Sequence, residues 1–196
     1  MLFALAPYVS VTQDAIQGVT GPNIVFRGCN LQIKSQDWEG DTSATGNLIV
    51  GWNYAPYVET TSQHRTGSND VIVGAGNNFT GYGCFLAGAY NTASGNYSSV
   101  SGGSSNVASE DYASVSGAAL NTASGDGASV CGGLNNTASG GKSTVSGGAY
   151  NIASGGAASI SGGGGWTADS GFTVASNLGW GAGNPIVHGY PKFRAP

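Results

Sequence analysis

Residues 91–165 read NTASGNYSSVSGGSS, NVASEDYASVSGAAL, NTASGDGASVCGGLN, NTASGGKSTVSGGAY and NIASGGAASISGGGG, five consecutive units of equal length, fifteen positions each. The register does not drift. Val100, Val115, Val130, Val145 and Ile160 share one column, and Gly102, Gly117, Gly132, Gly147 and Gly162 a second. Asn91, Asn106, Asn121, Asn136 and Asn151 form a third, and Ala93, Ala108, Ala123, Ala138 and Ala153 a fourth. A short fixed period marks an architecture in which each unit stacks on its neighbours. A unit this short cannot hold a helix, a turn and a second element, but it holds two short strands and two tight turns. The SSVSGG-like and NTAS-like segments supply the strands. Variation is greatest at two pairs per unit, 96–97 and 104–105 in the first, as expected of turn side chains that face solvent. Alternation along the Val strand puts Val100 on one face and Ser99 and Ser101 on the other. No proline lies within residues 57–184, so every backbone N–H there can join a ladder.

The pattern continues outward in looser form. Ile72-Val73-Gly74 and Leu86-Ala87-Gly88 precede Val100 by twenty-eight and fourteen positions. Ile49-Val50-Gly51 lies twenty-three positions before Ile72, which fits one more unit with an insertion near residues 54–69. Downstream, Val174 follows Ile160 by fourteen positions. The expectation is an all-β parallel β-roll or β-solenoid of about eight coils over residues 46–178, its identical residues stacked ~4.8 Å apart. Residues 1–45 read as an N-terminal capping or attachment segment, with Ile24-Val25-Phe26 and Leu31-Gln32-Ile33 as short strands. Residues 179–196, GWGAGNPIVHGYPKFRAP, change composition and read as a C-terminal cap or contact segment.

Composition removes several function classes. Glycine supplies 35 of 196 residues, and charged residues only 8%, against a usual ~25%. Glycine at this density opposes helices, and no collagen-like three-residue period is present. Six cations in a chain of net charge −4 offer no basic stripe for nucleic acid. No apolar run approaches the ~18 residues of a membrane-spanning helix, so no membrane insertion is expected. Met1-Leu2-Phe3-Ala4-Leu5-Ala6 lacks the basic region of a secretory signal. Cys29, Cys84 and Cys131 are far apart and form no paired motif.

Each coil offers a thin interior of one Val or Ile and one Ala, so a second face must be covered by association. This predicts a homo-oligomer without choosing its order. The NTASG…SVSGG units resemble the YadA-like head repeats of trimeric autotransporter adhesins, and similar runs occur in phage tail fibres and repetitive bacterial surface proteins. The upstream pattern APYVSV…GPNIVFRGCNLQI…GNLIVGWN resembles the segment that precedes such repeats, so the resemblance spans most of residues 7–178. It implies a left-handed parallel β-roll, three of which pack into a trimer, located outside a cell or on a virion or fibre. The family's SVAIG strand carries two branched apolar residues where SVSGG has one. Its coiled-coil stalk and membrane anchor are also missing, so the expectation is a fragment, a fibre subunit or a short relative fixed to its particle by something else.

Catalysis has little support. His64 and His188 are far apart in irregular segments, and Glu110-Asp111 are turn neighbours rather than carboxylates flanking a substrate. The glycine pairs recur without the Asp of calcium rolls and without the Lys-Ser/Thr of a phosphate loop. The chain therefore reads as a non-enzyme without cofactor or metal. Asn78, Asn96 and Asn135 match the Asn-x-Ser/Thr acceptor pattern at the rate that chance provides in such a composition. Cys131 stands in a serine column and reads as a serine-sized substitute. The Asn column either bonds turn backbone along the stack or supplies a left-handed turn conformation. Candidate contacts to a cell-surface glycan or protein are Tyr97 and Tyr112, which share a turn position in adjacent coils. A terminal group of Trp166, Trp180, Tyr190 and Phe193 is a second candidate, or a hydrophobic cap. Three functions stand open: a structural and adhesive rod, a self-assembling filament subunit, and an ice-binding solenoid using the rows Ser99/Ser101, Ser114/Ser116, Ser129/Cys131, Thr144/Ser146 and Ser159/Ser161.

Overall fold

The computed structural model describes residues 9–12, 23–26, 31–33, 45–52, 65–170, 174–175 and 186–187. The chain divides into two compact units, Met1–Ile33 and Lys34–Pro196. In the first, Val9–Thr12 pairs antiparallel with Asn23–Phe26. Leu31-Gln32-Ile33, expected as a strand, is irregular and exposed.

The second unit is all-β, a parallel β-solenoid of about seven turns. One sheet of nine strands runs from Leu48–Val50 to Val174–Ala175 and contains the Val column. The other, of eight strands, runs from Asn78–Phe79 to Ile186–Val187 and contains the NTAS segments. A third ladder, one residue wide, links Ala89, Ser104, Ala119, Leu134, Ala149 and Gly164 through isolated parallel bridges. Ile49, Ile72, Leu86 and Val100 share one register, as their spacing predicts.

Three expectations change. Val174 does not continue the Val column: it pairs with Ser159, and Ala175 pairs with Ile160, because the period of the array persists there. The insertion is also shorter than expected, since Arg65 already bridges Phe79 and Ser68 bridges Tyr82 as parts of a coil. Trp166 lies within the array rather than after it: its N–H donates to the side-chain oxygen of Asn151 (3.0 Å), one coil earlier.

The structure also locates the change in coil length. Leu86 pairs with Val100, a step of fourteen, but Ala89 bridges Ser104, a step of fifteen. One residue has therefore entered between Val100 and Ser104. The longer strands Val71–Ala75 and Phe85–Ala89 give way to short ones such as Ser99–Val100. The constant Gly102 column lies in this added segment, with φ of 148° at Gly132 and Gly162, a value that disfavours any side chain.

The interior holds three apolar or small columns rather than two. Val100, Val115, Val130, Val145 and Ile160 face Ala93, Ala108, Ala123, Ala138 and Ala153, all fully buried. Ser98, Ala113, Ala128, Ser143 and Ala158 form the third, the residue just before the outward-facing Ser or Thr of each strand. The first coils use larger groups, Ile72, Phe79 and Leu86.

The Asn column is buried and fully engaged, which decides between its two readings. None of its five members has positive φ. Asn121 Oδ1 accepts the Asn136 N–H at 3.0 Å, while its Nδ2 donates to the Gly117 carbonyl in its own turn (3.0 Å) and to the Gly133 carbonyl of the next coil (2.8 Å). Asn91, Asn106, Asn136 and Asn151 repeat this arrangement, and Asn77 starts it upstream of the sequence-defined column. Replacing Asn121 with Ala leaves one N–H and two carbonyls short of their partner in a dry interior, at ~1–3 kcal/mol for each unmet group. Urea unfolding is expected to show a loss of about 3 kcal/mol or more for Asn121→Ala, against less than ~0.5 kcal/mol for the outward-facing Thr122→Ser.

Candidate contact surfaces

Outward groups fall on two sheet faces and two turn edges. On the Val sheet, Ser99, Ser114, Ser129, Thr144 and Ser159 are half-buried, and Ser101, Ser116, Cys131, Ser146 and Ser161 are exposed. The expected alternation therefore holds, and Ser99 Oγ donates to Ser114 Oγ one coil away (3.2 Å). The same face changes character toward the N-terminal coils. There the matching positions are Leu48, Val50, Val71, Val73 and Phe85, all exposed. Sequence reasoning missed this stripe because it followed the inward residues. The opposite sheet carries a second hydroxyl face, Thr92, Thr122, Thr137 and Thr167 beside Ser94, Ser109, Ser124, Ser139 and Ser154, interrupted by Val107 and Ile152. The T-A-S triplets signal it: inward Ala leaves its two neighbours outward.

One turn edge carries an aromatic row. Its second turn position, Tyr97, Tyr112, Gly127, Lys142 and Ala157, has φ between 55° and 61° throughout. The left-handed region is costly for bulky residues and natural for glycine. Tyr97 and Tyr112 nevertheless occupy it, with rings parallel within 7° and centroids 5.4 Å apart. Tyr82 meets Tyr97 edge-on at 4.8 Å, and their hydroxyls are hydrogen-bonded. Glu110, Asp111 and Asp126 are exposed along the same edge. Asp111 Oδ1 accepts the Asn96 N–H (2.8 Å), so that carboxylate also braces the turn below. The structure thus brings Tyr97 and Tyr112 together, while Trp180, Tyr190, Phe193, His64 and His188 lie outside the described residues. Trp166 is half-buried and packs on the core.

Among the described residues no group of three His, Cys, Asp or Glu side chains is placed to hold a metal ion, and no helix is long and apolar enough to cross a membrane. Comparison with protein-family models, with curated proteins and with solved structures found no match.

One buried ionisable group stands out. Asp70 is 1% exposed and shares the inner column that Cys84 and Ser98 continue. Its Oδ1 accepts the Cys84 N–H (2.7 Å), and its own N–H donates to Asn47 Oδ1 (2.9 Å). Among the described residues its Oδ2 has no hydrogen-bond partner. One coil on, the Cys84 thiol donates to the Gly95 carbonyl (3.4 Å). The corresponding carbonyl beside Asp70 is that of Gly81, since both crowd Gly67. That setting suits a protonated carboxyl. Burial pushes Asp70 from 3.8 up to about 6, and also pushes the neighbouring Cys84 thiol up to about 11, leaving it neutral.

The folded chain then holds this proton over an interval in which the unfolded chain has lost it. Asp70 therefore makes stability fall as pH rises from about 4 through about 6, and the loss levels off above that. The difference amounts to about 2–3 kcal/mol. Asp70→Asn keeps an acceptor for Cys84 and offers N–H groups to the carbonyl side. Thermal unfolding across pH 4–8 is expected to show the Asp70→Asn variant more stable than wild type at pH 8, with the slope between about 4 and 6 flattened.

Proposed function

We propose that this chain is a non-enzymatic structural and adhesive rod, a surface or fibre subunit that presents its turns and ends for contact outside a cell or on a particle. The observation that carries the reading is the tyrosine row. Gly127 and Ala157 hold the same backbone conformation at the same turn position, so the fold does not require an aromatic there. Tyr97 and Tyr112 accept conformational strain and stay 43% and 62% exposed. Exposed, pre-stacked tyrosines give large contact area at small entropic cost. The interior polar columns are meanwhile occupied with holding coils together.

Self-association belongs to the same proposal. The apolar stripe Leu48, Val50, Val71, Val73 and Phe85 gives one face a reason to be covered, and the resemblance to YadA-like heads suggests three copies. A filament subunit would use the same stripe or the termini. A second reading, ice binding, is favoured by the two hydroxyl faces. Each repeats at the ~4.8 Å coil spacing, and threonine with its methyl group and stiff χ1 is concentrated on the T-A-S face.

Three measurements separate these readings. Light scattering is expected to give the mass of three chains. Beads carrying the full chain are expected to bind cells or glycan surfaces, with at least a tenfold loss for Tyr97→Ala/Tyr112→Ala at unchanged mass and circular dichroism. Thermal hysteresis that survives the tyrosine changes but disappears when bulky residues enter the Ser or Thr rows would instead establish ice binding.

A further inference from the structure

Large side chains at the second turn position lean over the coil before them. The space above Gly83 is filled by the Tyr97 ring, and Lys142 Cγ lies 3.7 Å from where a Gly127 Cβ would sit. Tyr112 accordingly stacks on Tyr97, and nothing of Tyr112 reaches the Gly127 position. Among the described residues, the ring face of Tyr112 that looks along the rod toward Gly127 is therefore bare. The consecutive turns Tyr112, Gly127 and Lys142 are fixed one above another by backbone bonds, Gly127 N–H to Asp111 (2.9 Å) and Lys142 N–H to Asp126 (2.7 Å). The missing side chain at Gly127 leaves a notch, floored by the Tyr112 ring and roofed by the Lys142 stem. Two coil steps of ~4.8 Å separate floor from roof.

We infer that this notch is a subsite for one pyranose ring of a neutral glycan. The C–H face of the sugar would lie on Tyr112, and its hydroxyls would donate to Asp126 and Asp111 and accept from Lys142. The chemistry favours this ligand class over the two nearest rivals. A flat aromatic face with a few polar groups at its rim matches an amphipathic ring. The three carboxylates Glu110, Asp111 and Asp126 repel an acidic sugar. A basic peptide would find the ring face attractive but would meet the Lys142 ammonium at the roof. Among the described residues Asp126 has no side-chain hydrogen bond and remains available to a ligand. The inference rests on the adhesive reading above and names the ligand for one of its surfaces.

A single open subsite binds weakly, in the millimolar range, so the test is by NMR on the full chain. Its tyrosine ring signals would be followed during titration with maltohexaose, cellohexaose and mannohexaose. At least one sugar is expected to move the Tyr112 signals and not those of Tyr150, an equally exposed tyrosine (58%) on the other turn edge. Tyr112→Ala should weaken binding at least tenfold. Gly127→Asn, which fills the notch with a residue tolerant of positive φ and leaves Tyr112 in place, should do the same. Equal movement of Tyr112 and Tyr150, no movement at millimolar sugar, or unchanged binding in Gly127→Asn would overturn the subsite. So would a response to an arginine-rich peptide alone, which would assign the notch to a basic partner. Bead adhesion that persists in Gly127→Asn while the sugars fail would reject this subsite but leave the adhesive reading standing. Sugar binding at Tyr112 without any bead adhesion would support the subsite and reject that reading.

Discussion

The buried asparagine ladder is the constraint on which the rest of the rod depends. Each side chain must meet a carbonyl four residues back, a carbonyl in the next coil and the N–H of the next asparagine. Two of those demands reach the next coil and fix where one coil sits on another, and a shift by one residue would break both together. The ladder even spans the change in coil length. Asn91 bonds the Ala87 carbonyl where Asn106 bonds that of Gly102, each four residues back. The added residue is absorbed outside the ladder, in the glycine-bearing turn. A satisfied buried polar network specifies one arrangement, and a half-satisfied one would cost more than an apolar core.

This arrangement explains how so thin a core suffices. From Ala93 onward the interior beside the asparagines is Val, Ile, Ala and Ser, and close backbone stacking replaces side-chain volume. Gly133 and Gly148 show how close that stacking is: they hold φ of 89° and 86°, and a Cβ on either would strike the next coil's carbonyl. The N-terminal coils follow a different rule. They pack Ile72, Phe79 and Leu86 inside and present Leu48, Val71 and Phe85 outside. The rod is therefore asymmetric along its length, with an apolar-faced beginning and a hydroxyl-faced remainder.

The sequence made the period, the two strands per coil and the inward Val and Ala columns legible, because each repeats without exception. It also showed that Tyr97 and Tyr112 share a turn position. It did not show the third inner column. Ser98, Ala113, Ala128, Ser143 and Ala158 vary in polarity, and only the fold reveals that all of them are enclosed. Asp70 was hidden for the same reason, since one carboxylate in a column of Cys and Ser looks like a turn residue. The Asn column was visible, but its role was not, because a left-handed turn and a side-chain ladder favour the same residue. Val174 misled because an apolar residue one place out of register resembles a shortened coil. The open face of Tyr112 could be inferred only once Gly127 was known to follow it directly along the stack.

Amide hydrogen exchange of the full chain tests most directly the claim that the ladder holds the rod while the turns remain free for contact. The N–H groups of Asn106, Asn121, Asn136 and Asn151 are expected to exchange only on cooperative opening, and Tyr112→Ala to leave this protection unchanged. Rapid exchange at these asparagines, or its collapse on removal of the exposed ring, would contradict the claim.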